Sequence, residues 1–308
     1  MNLIKFTLLL LSALSVNIVS AGTLYITHDP NLNHSELKLV EKFTSTLTQT
    51  LTDQKVQPLS LNAAADHQNR DDLILSLGEE APEGLVMGKG TAPILSIFIS
   101  KQSFDELTRS APTSNRNISA IYSDPDPLKQ IALIKALFGE DISIGLFTTL
   151  NSRLNVDELS AQSQKIGVNL VPIKMSYPIK ETDIYRQLKD VKALLVFKDK
   201  SLFQVLSLDR ILLLGYDMRR LGIIGYSSGI VKNGALATTY CSIKDTASAI
   251  AHWVSQKNQT GLLAEPAYSE EFSISINTFI ARSLDINEQN TNEQSVKTSL
   301  LKILEESQ

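Results

Sequence analysis

In this chain of 308 residues, the string closest to a catalytic device is Gly225-Tyr226-Ser227-Ser228-Gly229. It spells Gly-x-Ser-x-Gly and directly follows an apolar run. In a hydrolase elbow the two glycines allow a strained turn that exposes the serine hydroxyl. That serine needs an acid and a histidine, normally drawn from separate loops. Downstream, Asp245 and His252 are the candidates, and both fall in one helical stretch. Glu265, Glu270 and Glu271 come after the histidine, in the wrong order. A polar, glycine-bearing loop at a strand end accounts for the same string without a triad, so no enzymatic activity is expected.

Metal and cofactor chemistry have less support. The four histidines are His28, His34, His67 and His252. His28 and His34 lie near Asp29, but no third ligand stands at a site-like spacing. Cys241 is alone, which excludes a disulfide framework and a cysteine-based zinc or iron–sulfur centre within one chain. No Gly-x-Gly-x-x-Gly or Walker string occurs. No metal or cofactor is therefore expected.

What remains is a set of polar residues where apolar runs end. Thr27, Ser76, Ser100, Thr148, Asn151, Lys198, Tyr226 and Ser227 all stand at such places. In open parallel sheets, ligands bind beyond the carboxyl ends of the strands. These eight are the candidate ligand-binding residues, acting as hydrogen-bond donors and acceptors, with Lys198 able to pair an anionic group.

The elements that would carry them are α/β. Strands are predicted over 23–27, 72–77, 93–99, 117–122, 142–147, 169–173, 191–197, 221–224, 235–239 and 272–276. Helices are predicted over 35–51, 127–138, 156–166, 246–254 and 279–284, with more helix between 197 and 221. Continuous Val/Ile/Leu runs mark strands buried on both faces. Their alternation with helices implies parallel sheets with right-handed crossovers.

Composition narrows the classes further. The chain is 43% hydrophobic and 20% charged with a net charge of −4, which is a globular balance. Aromatic residues make up 6%, and acidic residues outnumber basic ones, so a nucleic-acid partner is not expected. Residues 1–21 read as a signal peptide. Lys5 supplies the charge, Phe6 to Leu14 the apolar segment, and Val19-Ser20-Ala21 the small residues of a cleavage site. Cleavage after Ala21 would place the chain in the periplasm. Residues 287–308 read as a polar linker followed by a C-terminal amphipathic helix that packs on its own domain.

Three ordered stretches carry a family resemblance. The first is Asn117-Ile118-Ser119-Ala120-Ile121, followed by Gln130 to Leu137 and by Ile144-Gly145-Leu146-Phe147. The second runs from Val231 to Ala237 and contains Gly234-Ala235-Leu236-Ala237. The third joins Ile276-Asn277 to Ala281-Arg282-Ser283-Leu284. Together they resemble the substrate-binding proteins of ABC transporters, in the branch with tryptophan- and tyrosine-type binders.

The resemblance implies a type I periplasmic-binding fold of two Rossmann-like lobes joined by three crossovers. Lobe one would comprise 22–122 plus 236–262, and lobe two 123–235 plus 263–286. Hinges would lie near 124–125, 235–239 and 272–277. It also implies a monomer that takes a small-molecule ligand and works with an ABC permease, or with a membrane sensor. The chain departs from the family pattern after Phe147. Thr148 stands where an Asn would bond an amino-acid head group, and no aromatic pair is evident for gripping an indole or phenol ring.

Overall fold

The computed structural model describes residues 22–110, 116–139, 141–152, 154–175, 180–218 and 221–307. The expected signal peptide, residues 1–21, lies outside the described residues. Among the described residues, no helix is long and apolar enough to cross a membrane.

The chain first lays down β1 (Leu24–His28), β2 (Val56–Pro58), β3 (Leu73–Leu77), β4 (Ile94–Ile99) and β5 (Ile118–Tyr122). It then forms β6 (Ile142–Thr148), β7 (Val168–Lys174), β8 (Ala193–Leu195), β9 (Gly222–Ile224) and β10 (Ala237–Tyr240). Two short strands follow, β11 (Ala267–Tyr268) and β12 (Ser273–Ile276). They assemble into two six-stranded sheets, ordered β11-β5-β4-β3-β1-β2 and β12-β10-β9-β8-β6-β7. All pairings are parallel except β10 with β12, where Ala237 faces Ile276. Each sheet carries helices on both faces, the doubly wound arrangement that buries central strands on both sides. All five residues of β3 are buried accordingly.

Lobe membership differs from the expectation at two places. β10 was expected in the returning part of lobe one, but it pairs with β9 and β12 in the second sheet. β11, expected within lobe two, pairs with β5 in the first sheet. The chain therefore passes between the lobes near 123–126, 241–242 and 269–272. The first passage contains residues 124–125; the other two lie a few residues from 235–239 and 272–277. A strand's membership depends on partners far along the chain, which its own apolar run does not encode.

The helix Ile243–Thr260 returns to lobe one and packs against His34–Thr50 over the first sheet. Both begin with a capping box, Asn33 with Glu36 and Ser242 with Asp245, which satisfies amides that would otherwise be orphaned. The C-terminal helix Glu293–Glu305 buries Val296 and Leu300 against Pro127–Phe138 in lobe two. Its apolar face is thus partnered within its own domain, as the periodicity predicts.

Lobe two is also pinned by a buried amide. Gln130 Nε2 donates to the Gly225 carbonyl at 2.6 Å, while its Oε1 accepts the Thr239 N–H at 2.9 Å. The side chain locks the first helix of the lobe to the ends of β9 and β10, which face the other lobe.

Candidate functional site

Between the lobes lies a cavity of about 550 Å³. Lobe one contributes Lys101, Gln102, Asp105 and Tyr268 to it, and the first passage contributes Asp124 and Asp126. Lobe two supplies the apolar Leu128, Leu146, Phe147, Leu159 and Phe197 together with the polar Thr148, Ser152, Asn155, Glu158, Gln162, Lys198 and Asp199. Its apolar part lies beside the helices Pro127–Phe138 and Val156–Lys165.

Of the eight candidate residues, Thr148, Lys198 and Tyr226 line this cavity. Thr148 closes β6 and is 8% exposed. Lys198 and Tyr226 follow β8 and β9, so three neighbouring strands aim these residues at one place. The other five lie elsewhere. Thr27 and Ser76 are wholly buried inside the first sheet, in register with each other, and their hydroxyls have no partner among the described residues. Each precedes its strand end by one residue and is covered by the layer above the sheet.

Ser100 is engaged with Ser103, whose hydroxyl and amide lie 2.8 and 3.1 Å from its Oγ. Asn151 is exposed in the turn after β6 and does not line the cavity. Ser227 caps the helix Ser228–Lys232, accepting the Ile230 N–H at 3.4 Å. His252 sits exposed on Ile243–Thr260, a helix of the other lobe. Among the described residues, no hydrogen bond joins Ser227 to a histidine. The Gly-x-Ser-x-Gly string is a helix start.

Three aromatic residues join Tyr226 in the lining without a signal in the sequence. Phe147, Phe197 and Tyr268 come from separate segments and meet it only in the fold. Tyr226 leans on Phe203 at 5.9 Å between ring centroids, and Tyr268 meets Tyr122 edge-on at 5.2 Å. Burial pushes the Tyr226 and Tyr268 phenols up, so both stay neutral hydrogen-bonding groups at physiological pH.

One ion pair spans the lobes. Lys198 Nζ lies 3.2 Å from Glu79 Oε1, linking the loop after β8 to the loop after β3. Burial disfavours the charge on Glu79, but the bond from Lys198 and its positive field outweigh that and hold the carboxyl below its ordinary value. Both side chains are substantially solvated, so the pair contributes little to stability. It ties the two walls of the cavity together at one point.

Asp124 lines the cavity beside the first passage. Its Oδ2 accepts the Lys101 N–H at 2.8 Å. Its other carboxyl oxygen has no hydrogen-bond partner among the described residues. Burial raises its pKa, and the bond from Lys101 and the charge of Lys198 only partly offset this.

A raised carboxyl pKa means that the folded chain holds the proton more tightly than the unfolded chain does. The resulting penalty is absent well below the ordinary aspartate value of about 4 and grows as pH rises through the folded value. Asp124→Asn is therefore expected to melt higher than the parent at neutral pH, with the difference vanishing towards pH 4. Melting curves across that range check this. A neutral-pH melting point below the parent's would contradict it.

No protein-family model matches the chain, and no curated protein does. Solved structures do resemble it. A substrate binding protein with adhesive properties from Clostridium difficile, in its ligand-free, open form, superposes with a TM-score of 0.62 at 14% identity, covering 88% of this chain and 97% of that one. An ABC domain from Streptococcus pneumonia in complex with L-Trp gives 0.51 at 18% identity, over 90% and 98%. A conserved domain protein from Vibrio cholerae gives 0.50 at 14%, over 90% and 98%. At such identities the likeness establishes the fold. The chain has the α/β architecture of type I periplasmic binding proteins.

Proposed function

We propose that this chain is a periplasmic solute-binding protein that captures a small molecule between its two lobes for an ABC-type importer. It performs no chemistry of its own and acts as a monomer after removal of residues 1–21. One observation carries the proposal: a cavity of about 550 Å³ at the strand ends of both lobes, beside the segments that connect them. A cavity so placed can be enclosed by rotation about a few connecting residues, which excludes water from the ligand. The solved neighbours support the reading in kind. One is described as a substrate binding protein, and another holds L-Trp. The aromatic lining also suits a solute with an apolar or aromatic portion.

The test is a thermal-shift screen against amino acids, amines, sugars, purines and short peptides. A compound at about 100 times its Kd adds roughly 2.7 kcal/mol to the folded state, a shift of a few degrees for a chain of this size. Small-angle scattering on any compound that stabilises the chain should show a smaller radius of gyration, as lobe closure requires. A flat screen across all five classes overturns the proposal.

A further inference from the structure

The ion pair between Lys198 and Glu79 crosses the cleft away from the passages, and its place in both sheets gives it leverage. The two charged atoms lie 3.2 Å apart, and among the described residues no other ion pair joins the lobes. Glu79 follows β3, and Lys198 follows β8. In the first sheet β3 stands two strands from β5, where the first passage leaves. In the second sheet β8 stands two strands from β10, where the second passage leaves. Strands about 4.8 Å apart therefore put the pair on an arm of roughly 10 Å from the passages in each lobe.

Swinging the lobes apart by about 20° moves a point on a roughly 10 Å arm by about 3.5 Å. The pair is thus at contact distance in the arrangement seen here and stretched in a more open one. Both partners are substantially solvated, so neither lobe needs the contact in order to fold. Its free energy falls instead on the balance between closed and open lobes. Those two arrangements of one folded chain lie close enough in free energy for a modest contact to shift their populations.

The loops that carry the pair present opposite signs to each other. In lobe two, Lys198 and Lys200 flank Asp199. The Asp199 carboxylate is turned into its own lobe, where it accepts the Ser152 and Ser201 hydroxyls at 2.6 Å each and the amides of Ser201 and Leu202. The two ammonium groups are left to face lobe one, and the field of Lys200 adds to that of Lys198 at Glu79. In lobe one, Gly78 at φ +92° turns the chain out of β3, and Glu79 and Glu80 follow. Asp29, after β1, stands close enough to bond the Glu80 carboxyl. A carboxyl rim therefore faces an ammonium rim, which draws the lobes together.

We infer that Glu79 and Lys198 form an electrostatic latch that biases the lobes toward closure, so that solute affinity is set in part by a residue outside the cavity. Glu79 does not line the cavity. It is a positioning residue that acts through the loop it holds. The inference rests on the solute-binding reading above and adds the regulation of that site. A solute that binds the closed form is held with an apparent affinity scaled by the closed fraction. A solvated pair shifts the closed-to-open ratio by about 1.5- to 5-fold. Reversing one charge turns attraction into repulsion and shifts the ratio further. Salt screens both charges, so closure weakens as ionic strength rises, whatever the charge of the solute.

Small-angle scattering on the full chain, with no compound added, tests the latch. A compact chain of this length has a radius of gyration of roughly 19 Å. The parent is expected to expand as sodium chloride rises from about 0.01 to 1 M, where the screening length falls from about 30 to 3 Å. Glu79→Lys is expected to be larger than the parent at low salt, by on the order of 1 Å, and to contract as salt rises. Glu79→Lys combined with Lys198→Glu restores opposite charges and should return the parent's radius and its expansion with salt. Melting points within a few degrees of the parent's show that the variants are folded. Where Glu79→Lys is not, Lys198→Glu makes the same test from the other lobe. A folded single reversal with the parent's radius and salt response overturns the latch, as does a double variant that stays expanded. Either result leaves solute binding to be judged by the thermal-shift screen. A flat screen beside a working latch overturns the binding reading alone.

Discussion

Thr148→Trp is expected to abolish solute binding while leaving the chain folded. Thr148 ends β6, where it pairs in register with Lys174, and its carbonyl accepts the Met175 N–H at 2.7 Å. Those contacts are made by the backbone and survive the substitution. The side chain lines the cavity, and an indole built there has about 550 Å³ of space to enter. Enlarging a side chain in a filled core costs about 1–3 kcal/mol, and growth into a cavity costs less.

The bulk then occupies the place where the lobe-two wall would meet a ligand. A loss of at least 100-fold in affinity, about 2.7 kcal/mol, is the expected reading by calorimetry with whichever compound stabilises the parent. The melting point should stay within a few degrees of the parent. Unchanged affinity in a folded variant would place the ligand elsewhere and remove this cavity from the function.

The same residue shows what the chain reveals locally and what it conceals. Thr148, Lys198 and Tyr226 are legible because each follows an apolar run, and the runs that precede them are neighbouring strands of one sheet. Thr27 and Ser76 carry the same signal, yet they are sealed inside the first sheet. A one-residue difference in where a strand ends separates a cleft residue from a buried one, and apolar periodicity does not resolve one residue.

The rest of the aromatic lining was illegible for another reason. Phe147, Phe197 and Tyr268 are brought beside Tyr226 by sheet order and by the passages between lobes, both set by long-range pairing. The fold class, by contrast, was plain. Leu73–Leu77 and Ile94–Ile99 are apolar runs that no half-exposed strand would carry. Asp124 lay in view within Asp124-Pro125-Asp126-Pro127, a string rigid enough to mark a passage. That its carboxyl faces the cavity, with one oxygen lacking a partner, emerges only in three dimensions.

Arg116→Met is expected to cost more stability than any other substitution considered, about 3–5 kcal/mol. The Arg116 side chain is buried in lobe one and directs its fork at four carbonyls. Nε donates to Ala92 at 2.6 Å, Nη1 to Ala65 and Leu85 at 2.9 and 3.0 Å, and Nη2 to Ala64 at 2.8 Å. Ala64 and Ala65 end the helix Leu61–Ala65, and Leu85 lies in the last turn of Ala81–Val86. One guanidinium thus caps the negative ends of two short helices that would hold little structure alone.

Gly90 permits this approach, since a Cβ there would come within 2.8 Å of the guanidinium carbon. Burial works against the charge and is eased in part by Asp66, but four carbonyl acceptors keep the ion solvated by protein. Methionine fills the volume but takes a charged donor from all four carbonyls; Ala65, Ala64 and Leu85 keep N–H donors from Gly90, His67 and Gly88 at 2.8, 3.3 and 3.3 Å, so the cost stays below that of four orphaned carbonyls at about 1–3 kcal/mol each. Arg116→Lys keeps the charge but lacks the planar fork, so it should recover only part of the loss. Chemical denaturation separates the three chains, and a methionine variant within about 1 kcal/mol of the parent would refute the argument.

The consequence reaches the cleft. Ala81–Val86 follows directly on Glu79, the lobe-one half of the pair with Lys198. Loosening that helix frees the loop that holds one wall of the cavity to the other. Mild destabilisation at Arg116 should therefore weaken ligand binding before the lobe unfolds.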